Sequence, residues 1–145
     1  KYLTVFKEDA SKAGVEISIK NVEWNSFIKL IDERNFDAVR LAWGAGGVEW
    51  DPKQVWHSSS AQGTGSNFIG YANKEVDQLI DQSRKLYDKD KRIAILRRVH
   101  AIIANDQPYI FWTNGKYALY ATTKRVKRPK DTFKYSIGQQ YWAIQ

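Results

Sequence analysis

The residues best suited to chemistry lie in one stretch of the chain, from Arg40 to Asp51. The candidate ligand-binding residues are Arg40, Trp43, Gly44, Ala45, Gly46, Glu49, Trp50 and Asp51. An arginine can hold a carboxylate through two hydrogen bonds, a carboxylate can hold an amine, and a tryptophan can cover an apolar side chain. Glycines let a ligand's backbone approach closely. The set suits a small zwitterion or peptide; the alternative is that both tryptophans belong to the core and Arg40 pairs with a surface acid.

The sequence lacks recognisable catalytic and metal-binding patterns. His57 precedes three serines, but no nucleophile motif surrounds them. His100 falls on the apolar face of a predicted helix, where a packed core histidine is the expected role. The absence of cysteine excludes disulfides and thiolate metal sites, and Glu49 and Asp51 lack a third ligand. We therefore expect no catalytic residue, no metal site and no cofactor.

A βαβ unit is predicted to position the candidate site. Apolar spacing predicts a helix over Leu3–Ala13 with Gly14 at its C-cap, and a second helix from Trp24 to about Asn35. Alternating apolar and polar residues predict strands at Val15–Ile19 and Phe36–Trp43. Open α/β sheets usually bind ligands beyond the carboxyl ends of their strands, which places the site in the loop after Trp43.

The rest of the chain is predicted to form a helical hairpin followed by short strands. One helical turn is expected at Asp51–Trp56. The hairpin helices begin at Asn73 and at Asp88 or Asp90, and Pro108 ends the second. The expected strands, on either side of an Asn114–Gly115 turn, are Tyr109–Trp112 and Tyr117–Tyr120.

Charge and composition leave competing classes of function open. The chain has 145 residues, a net charge of +7 and no uncharged run apolar enough to cross a bilayer. Its one basic cluster, Lys124–Lys130, is expected to be a solvated loop, with an electrostatic contact as the alternative. A nucleic-acid-binding module would use that cluster with Tyr117 and Tyr120 and would lose affinity as salt rises. An enzyme of unknown type is the other alternative.

Several short motifs occur in a fixed order along most of the chain. They are Gly14–Ile17, Glu23–Asn25, Asn35–Ala38, Ala42–Ala45, Asp51–Pro52, His57–Ser58, Asn67–Tyr71, Asn73–Asp77 and Asp106–Tyr109. In order and spacing they resemble the C-terminal third of the family 5 extracellular solute-binding proteins, the peptide-binding components of ABC importers.

The resemblance implies an α/β fold, the C-terminal part of a two-lobed periplasmic-binding-protein type II fold. It implies that residues 1–145 are a single C-terminal lobe or fragment, in keeping with a chain that contains no methionine, and that residues 116–145 return to contact a missing N-terminal lobe. The implied role is to bind a peptide or similar solute between two lobes and deliver it to a permease. The implied location is periplasmic or extracellular, peripheral to the membrane, with room for a lipid anchor on the full-length protein. No catalysis and no nucleic-acid partner are implied.

The resemblance also assigns roles to individual residues. Trp43 matches the family's tryptophan, and Gly44–Ala45 match the turn after it. Arg40 matches a position where some relatives carry an arginine that faces the ligand carboxylate. Gly46 stands where peptide-binding members carry the acid that pairs with the ligand's amino terminus, so an amine clamp would need Glu49 or Asp51. A sugar, a modified peptide or a metal complex therefore remain alternative solutes.

Overall fold

A computed structural model describes residues 2–44, 51–63, 65–114, 121–128 and 139–144 of the chain. The chain forms two compact units, Lys1–Arg40 and Leu41–Gln145. Ala45, Gly46, Glu49 and Trp50, four of the predicted ligand-binding residues, lie outside the described residues.

The first unit contains two helices, α1 (Tyr2–Lys12) and α2 (Trp24–Asp32). Helix α1 ends as predicted, because Gly14 has a φ of +80° and the Val15 N–H donates to the Ala10 carbonyl at 3.0 Å. This left-handed ending satisfies carbonyls that would otherwise lack partners, and glycine adopts it without steric cost.

Helix α2 is fixed at both ends by local hydrogen bonds. The Glu23 carboxylate accepts from the N–H groups of Asn25 and Ser26 at 2.9 and 3.2 Å. At the other end Arg34 takes the left-handed conformation, with φ of 54°. Ile31 is the side chain that α2 buries, so the amphipathic pattern correctly predicted this helix.

The two strands predicted for the βαβ unit are not formed. Val15–Ile19 and Phe36–Trp43 carry neither helix nor strand, and Val15 and Ile19 are 54% and 40% exposed. Alternating side chains indicate which face of a segment could be buried, but a strand also needs a neighbour to complete its ladder. The described residues supply no such neighbour to either segment.

The second unit is built on the helical hairpin. A short helix α3 (Lys53–Trp56) and a 3₁₀ helix (Ser58–Ala61) precede α4 (Lys74–Arg84) and α5 (Lys89–Asp106). The caps are Asn73 for α4 and Asp88, rather than Asp90, for α5. The core side chains from α3, α4 and α5 are Val55, Trp56, Val76, Ile80, Val99 and Ile103.

Within the hairpin and beyond it, the chain departs from the prediction in two places. The described strands are β1 (Val126–Lys127) and β2 (Ala143–Ile144), an antiparallel pair, whereas Tyr109–Trp112 forms no strand. The partner predicted for that segment, Tyr117–Tyr120, lies outside the described residues, as does Gly115.

His100 is exposed rather than packed in the core, because α5 buries a narrow arc around Val99 and Ile103 and His100 lies at its edge. The helices with a short sheet agree with a partial α/β fold.

Candidate functional site

Trp43 is the predicted site residue with the clearest environment. Its side chain is 43% exposed, and its ring stacks on Phe68 with the centroids 6.0 Å apart and the planes 14° apart. The Trp43 indole also lies near the Tyr109 hydroxyl, where it partly offsets the effect of burial on the pKa of that hydroxyl. Phe68 therefore backs one face of the Trp43 ring, while a large part of that ring stays accessible.

Trp56 supports this arrangement from inside the core. Its ring centroid lies 4.7 Å from that of Tyr109 and 6.3 Å from that of Phe111. Burial raises the pKa of the Tyr109 hydroxyl. Trp56 thus packs against two of the exposed and half-buried rings of this region. We call the whole group the aromatic surface, consisting of Trp43, Phe68, Tyr109 and Phe111.

Asn67 fixes the loops that carry these rings. Its side chain is fully buried, and its Nδ2 donates to the carbonyls of His57 at 3.1 Å and Tyr71 at 2.8 Å. Its Oδ1 accepts from the Tyr71 N–H at 2.9 Å. Because one amide joins the turn after Trp56 to the loop that bears Phe68, the relative positions of those rings depend on Asn67.

A second polar group closes the loop that Asn67 organises. The Tyr71 hydroxyl donates to the Asp106 carboxylate at 2.6 Å, and the Asn73 amide donates to the same oxygen at 3.0 Å. The Tyr71 hydrogen bond is the main reason that the pKa of Asp106 lies below its ordinary value. Desolvation, followed by the neighbouring Asp106, strongly raises the pKa of Tyr71.

Asp51 is the acid among the predicted site residues that the structure describes. Its carboxylate already has a salt bridge and a hydrogen bond. Its Oδ2 lies 2.9 Å from the Arg84 guanidinium, and its Oδ1 accepts from the Lys53 N–H at 3.0 Å at the start of α3. Gly44 is described and its Cα faces open space. Arg40 is exposed and belongs to the first unit. The structure thus brings Trp43 together with Phe68 and Tyr109, but gives Asp51 a role in holding α3 to α4.

His57 lies in a polar cluster next to Trp56. Its Nδ1 accepts from both the N–H and the hydroxyl of Ser59, at 3.1 and 2.8 Å, and so caps the 3₁₀ helix. The ring is buried, and its Nε2 lies 3.4 Å from Asp81 without hydrogen-bond geometry. Lys53 holds Asp81 at 2.7 Å and, mainly through that hydrogen bond, lowers the pKa of Asp81. A serine, a histidine and a carboxylate are therefore neighbours here, although no nucleophile motif surrounds them in the sequence.

Three members of the aromatic surface were not predicted as site residues, namely Phe68, Tyr109 and Phe111. Phe68 and Tyr109 do lie within motifs of the family resemblance, Asn67–Tyr71 and Asp106–Tyr109. Their convergence on Trp43 is a tertiary contact between segments that are distant in sequence, and no local pattern reports such a contact.

Comparisons with known proteins agree with the motif order. The chain is 29% identical over 145 residues to the oligopeptide-binding protein AppA of Bacillus subtilis (strain 168), covering 97% of this chain and 25% of that protein. It is 28% identical over 95 residues to the oligopeptide-binding protein OppA of the same organism, covering 66% of this chain and 17% of the relative. It is 24% identical over 107 residues to the dipeptide-binding protein of Escherichia coli (strain K12), covering 72% and 20%. No family model matches the chain.

A solved structure adds the fold. The structure of AppA from Bacillus subtilis in complex with a nonapeptide matches with a TM-score of 0.70 and 27% identity, over 74% of this chain and 21% of that one. In sequence and fold the chain is therefore similar to oligopeptide- and dipeptide-binding proteins, which agrees with its resemblance to the family 5 solute-binding proteins. It spans about a quarter of the length of AppA, and within that span it is a partial α/β fold. In the described part of the chain, no three side chains are grouped to hold a metal ion and no helix is long and apolar enough to cross a bilayer.

Proposed function

We propose that this chain contributes one wall of a peptide-binding site in the substrate-binding component of an ABC importer. The observation that carries the proposal is the geometry of Trp43, a partly exposed indole that stacks on Phe68 and lies near the Tyr109 hydroxyl. The proposal is further supported by relatives whose names describe oligopeptide and dipeptide binding.

Trp43 would act as an apolar anchor for a ligand side chain. A large flat ring that is already fixed loses little conformational entropy on binding, and burying its exposed part against a ligand removes apolar area from water. In this proposal the ligand backbone pairs with main-chain groups near Gly44 to Gly46, where glycine leaves room for close approach. The rest of the full-length protein would close over the ligand and exclude water from it.

Charged side chains would hold the two ends of a peptide ligand. Asp51 is neutralised by Arg84, so a free ligand amine would have to displace a salt bridge in order to use it. Glu49 carries the amine-clamp role more readily than Asp51 for that reason. Arg40 is the proposed partner of a ligand carboxylate, and Ala45, Gly46 and Trp50 are proposed as further contacts.

The partners and location of the full-length protein follow from the same proposal. A peptide would be delivered to a membrane permease by a protein that works outside the cytoplasmic membrane, in the periplasm or at the cell surface, without catalysing a reaction. The support for a binding role is that the named relatives are binding proteins rather than enzymes.

Calorimetric titration of the full-length protein with a set of tripeptides tests this function. We expect binding, and Trp43→Ala should weaken it by about 2 kcal/mol, the scale of an aromatic anchor in a binding site. Trp24→Ala is the matched control, because Trp24 is also exposed and stacked on a phenylalanine, Phe27, but lies in the first unit.

Two outcomes would overturn the proposal. One is the absence of peptide binding by the full-length protein at millimolar peptide. The other is equal peptide affinity for Trp43→Ala and Trp24→Ala, which would remove Trp43 from the site. Binding to an oligonucleotide that collapses as salt rises would instead favour the basic-module alternative.

A further inference from the structure

Asp106 occupies an unusual place for a carboxylate. It is the last residue of α5, where the helix dipole disfavours negative charge. The side chain is nevertheless held there by two donors, the Tyr71 hydroxyl at 2.6 Å and the Asn73 amide at 3.0 Å. The carboxylate makes two hydrogen bonds although it is exposed and lies at the negative end of the helix dipole. This combination indicates that the carboxylate has a specific role.

The contacts join two segments that are distant in sequence. Tyr71 and Asn73 lie just before α4, whereas Asp106 ends α5, 35 residues after Tyr71. All three belong to, or adjoin, the motifs Asn67–Tyr71, Asn73–Asp77 and Asp106–Tyr109 that carry the resemblance to family 5. The structure thus gives one physical reason for these motifs to occur together.

Tyr71 and the segment that follows Asp106 both place a ring against Trp56. The Tyr71 ring meets Trp56 edge-on, with the centroids 5.8 Å apart and the planes 88° apart. On the other side, Asp106 is followed by Gln107, with φ of 47°, then Pro108 and Tyr109, whose ring lies 4.7 Å from Trp56. A left-handed residue and a proline leave this link little freedom, so the position of Asp106 constrains the position of Tyr109.

We propose that Asp106 is a positioning residue for the aromatic surface: through Tyr71 it fixes Trp56 and Tyr109, and through Tyr109 it sets the orientation of Trp43 toward the ligand. The proposal rests on the peptide-binding function proposed above. Asp106 itself does not contact the ligand; its effect on affinity is indirect.

The experiment compares Asp106→Ala, Asp106→Asn and Tyr71→Phe in the full-length protein. The readouts are tripeptide affinity by calorimetry, the near-ultraviolet circular dichroism of the tryptophans, and the thermal midpoint. Asp32→Asn is the matched control, because Asp32 is likewise an exposed aspartate at the last position of a helix, α2, in the first unit.

We expect Asp106→Ala and Tyr71→Phe to weaken peptide binding several-fold and by no more than roughly tenfold, because the effect of losing a hydrogen bond to a charged group reaches the ligand only through the aromatic rings. Both variants should also change the tryptophan dichroism of the ligand-free protein. Asp106→Asn keeps an oxygen acceptor for Tyr71 and should restore much of both signals. Asp32→Asn should change neither.

The proposal is overturned if Asp106→Ala lowers the thermal midpoint while the folded protein keeps its affinity and its tryptophan dichroism, since Asp106 would then be structural only. Failure of the peptide-binding function looks different, because the unmodified protein would then bind no peptide. In that event the dichroism of Asp106→Ala and its rescue in Asp106→Asn still decide whether Asp106 orients the aromatic rings.

Discussion

Replacing Asn67 should destabilise the second unit more than any surface substitution. The fully buried amide makes three hydrogen bonds, two donated to the carbonyls of His57 and Tyr71 and one accepted from the Tyr71 N–H. Each is worth about 1 kcal/mol net, so Asn67→Ala should lower the free energy of unfolding by about 3 kcal/mol. That is a large share of the roughly 5–15 kcal/mol by which domains are stable. With a urea dependence of roughly 1–3 kcal/mol per molar, the unfolding midpoint should fall by about 1–3 M.

The assay is urea unfolding followed by circular dichroism, with Asn25→Ala as the control because Asn25 is exposed on α2. Asn67→Asp adds an internal check through pH. A protonated carboxyl can donate to only one of the two carbonyls, so a penalty of about one hydrogen bond should remain below about pH 4. Burial against those carbonyls would disfavour the charged carboxylate and raise its pKa in the folded state, so the penalty should grow by up to ~1.4 kcal/mol per pH unit above pH 4. The reasoning is refuted if Asn67→Ala shifts the midpoint no more than Asn25→Ala does.

Three further predictions concern stability. Gly65→Ala should cost about 2 kcal/mol or more in a thermal or urea melt, because the added Cβ would collide with the Ser60 backbone carbonyl; an unchanged melt would show that the two backbone segments do not approach closely. Asp88→Ala should cost about 1 kcal/mol, because the carboxylate caps α5 by accepting from two N–H groups at 3.0 Å, whereas Asp88→Asn should cost much less. Acid should weaken the fold: the pKa values of Asp81 and Asp106 are lowered in the folded state, so their stabilisation is complete above the unfolded pKa near 4 and is lost as pH falls through the lower folded values. Urea midpoints between pH 6 and pH 3 measure this loss, and Asp81→Asn should make it smaller.

The helices could be predicted because their signals are local. Gly14, Asn73 and Asp88 each mark a helix end through contacts with residues one to four positions away, and the structure confirms all three. The core of the hairpin follows from apolar spacing for the same reason. His100 shows the limit of that reasoning, since the width of the buried arc depends on how many neighbours the helix has.

The predicted strands and most of the aromatic surface depend on partners that no local pattern identifies. Phe36–Trp43 has the composition of a strand, but a ladder requires a second segment in register. Likewise, nothing in the sequence around Phe68 or Tyr109 indicates that both rings reach Trp43. The order of the family motifs was more informative here than the spacing of apolar residues. The motifs include residues that meet in tertiary contacts, such as Tyr71 and Asp106.

The cluster around His57 shows why neighbouring residue types alone do not establish catalysis. The Ser59 hydroxyl reaches His57 at 2.8 Å, as a nucleophile would reach a base, but the Ser59 backbone N–H occupies the same nitrogen. The other ring nitrogen has no hydrogen bond, and the carboxylate nearest to it is held by Lys53. A general base needs a carboxylate that orients its ring by a hydrogen bond, and Asp81 does not provide one. The geometry instead fixes the turn directly after Trp56, so His57 belongs to the same supporting structure as Asn67 and Asp106, in keeping with relatives that are named for binding.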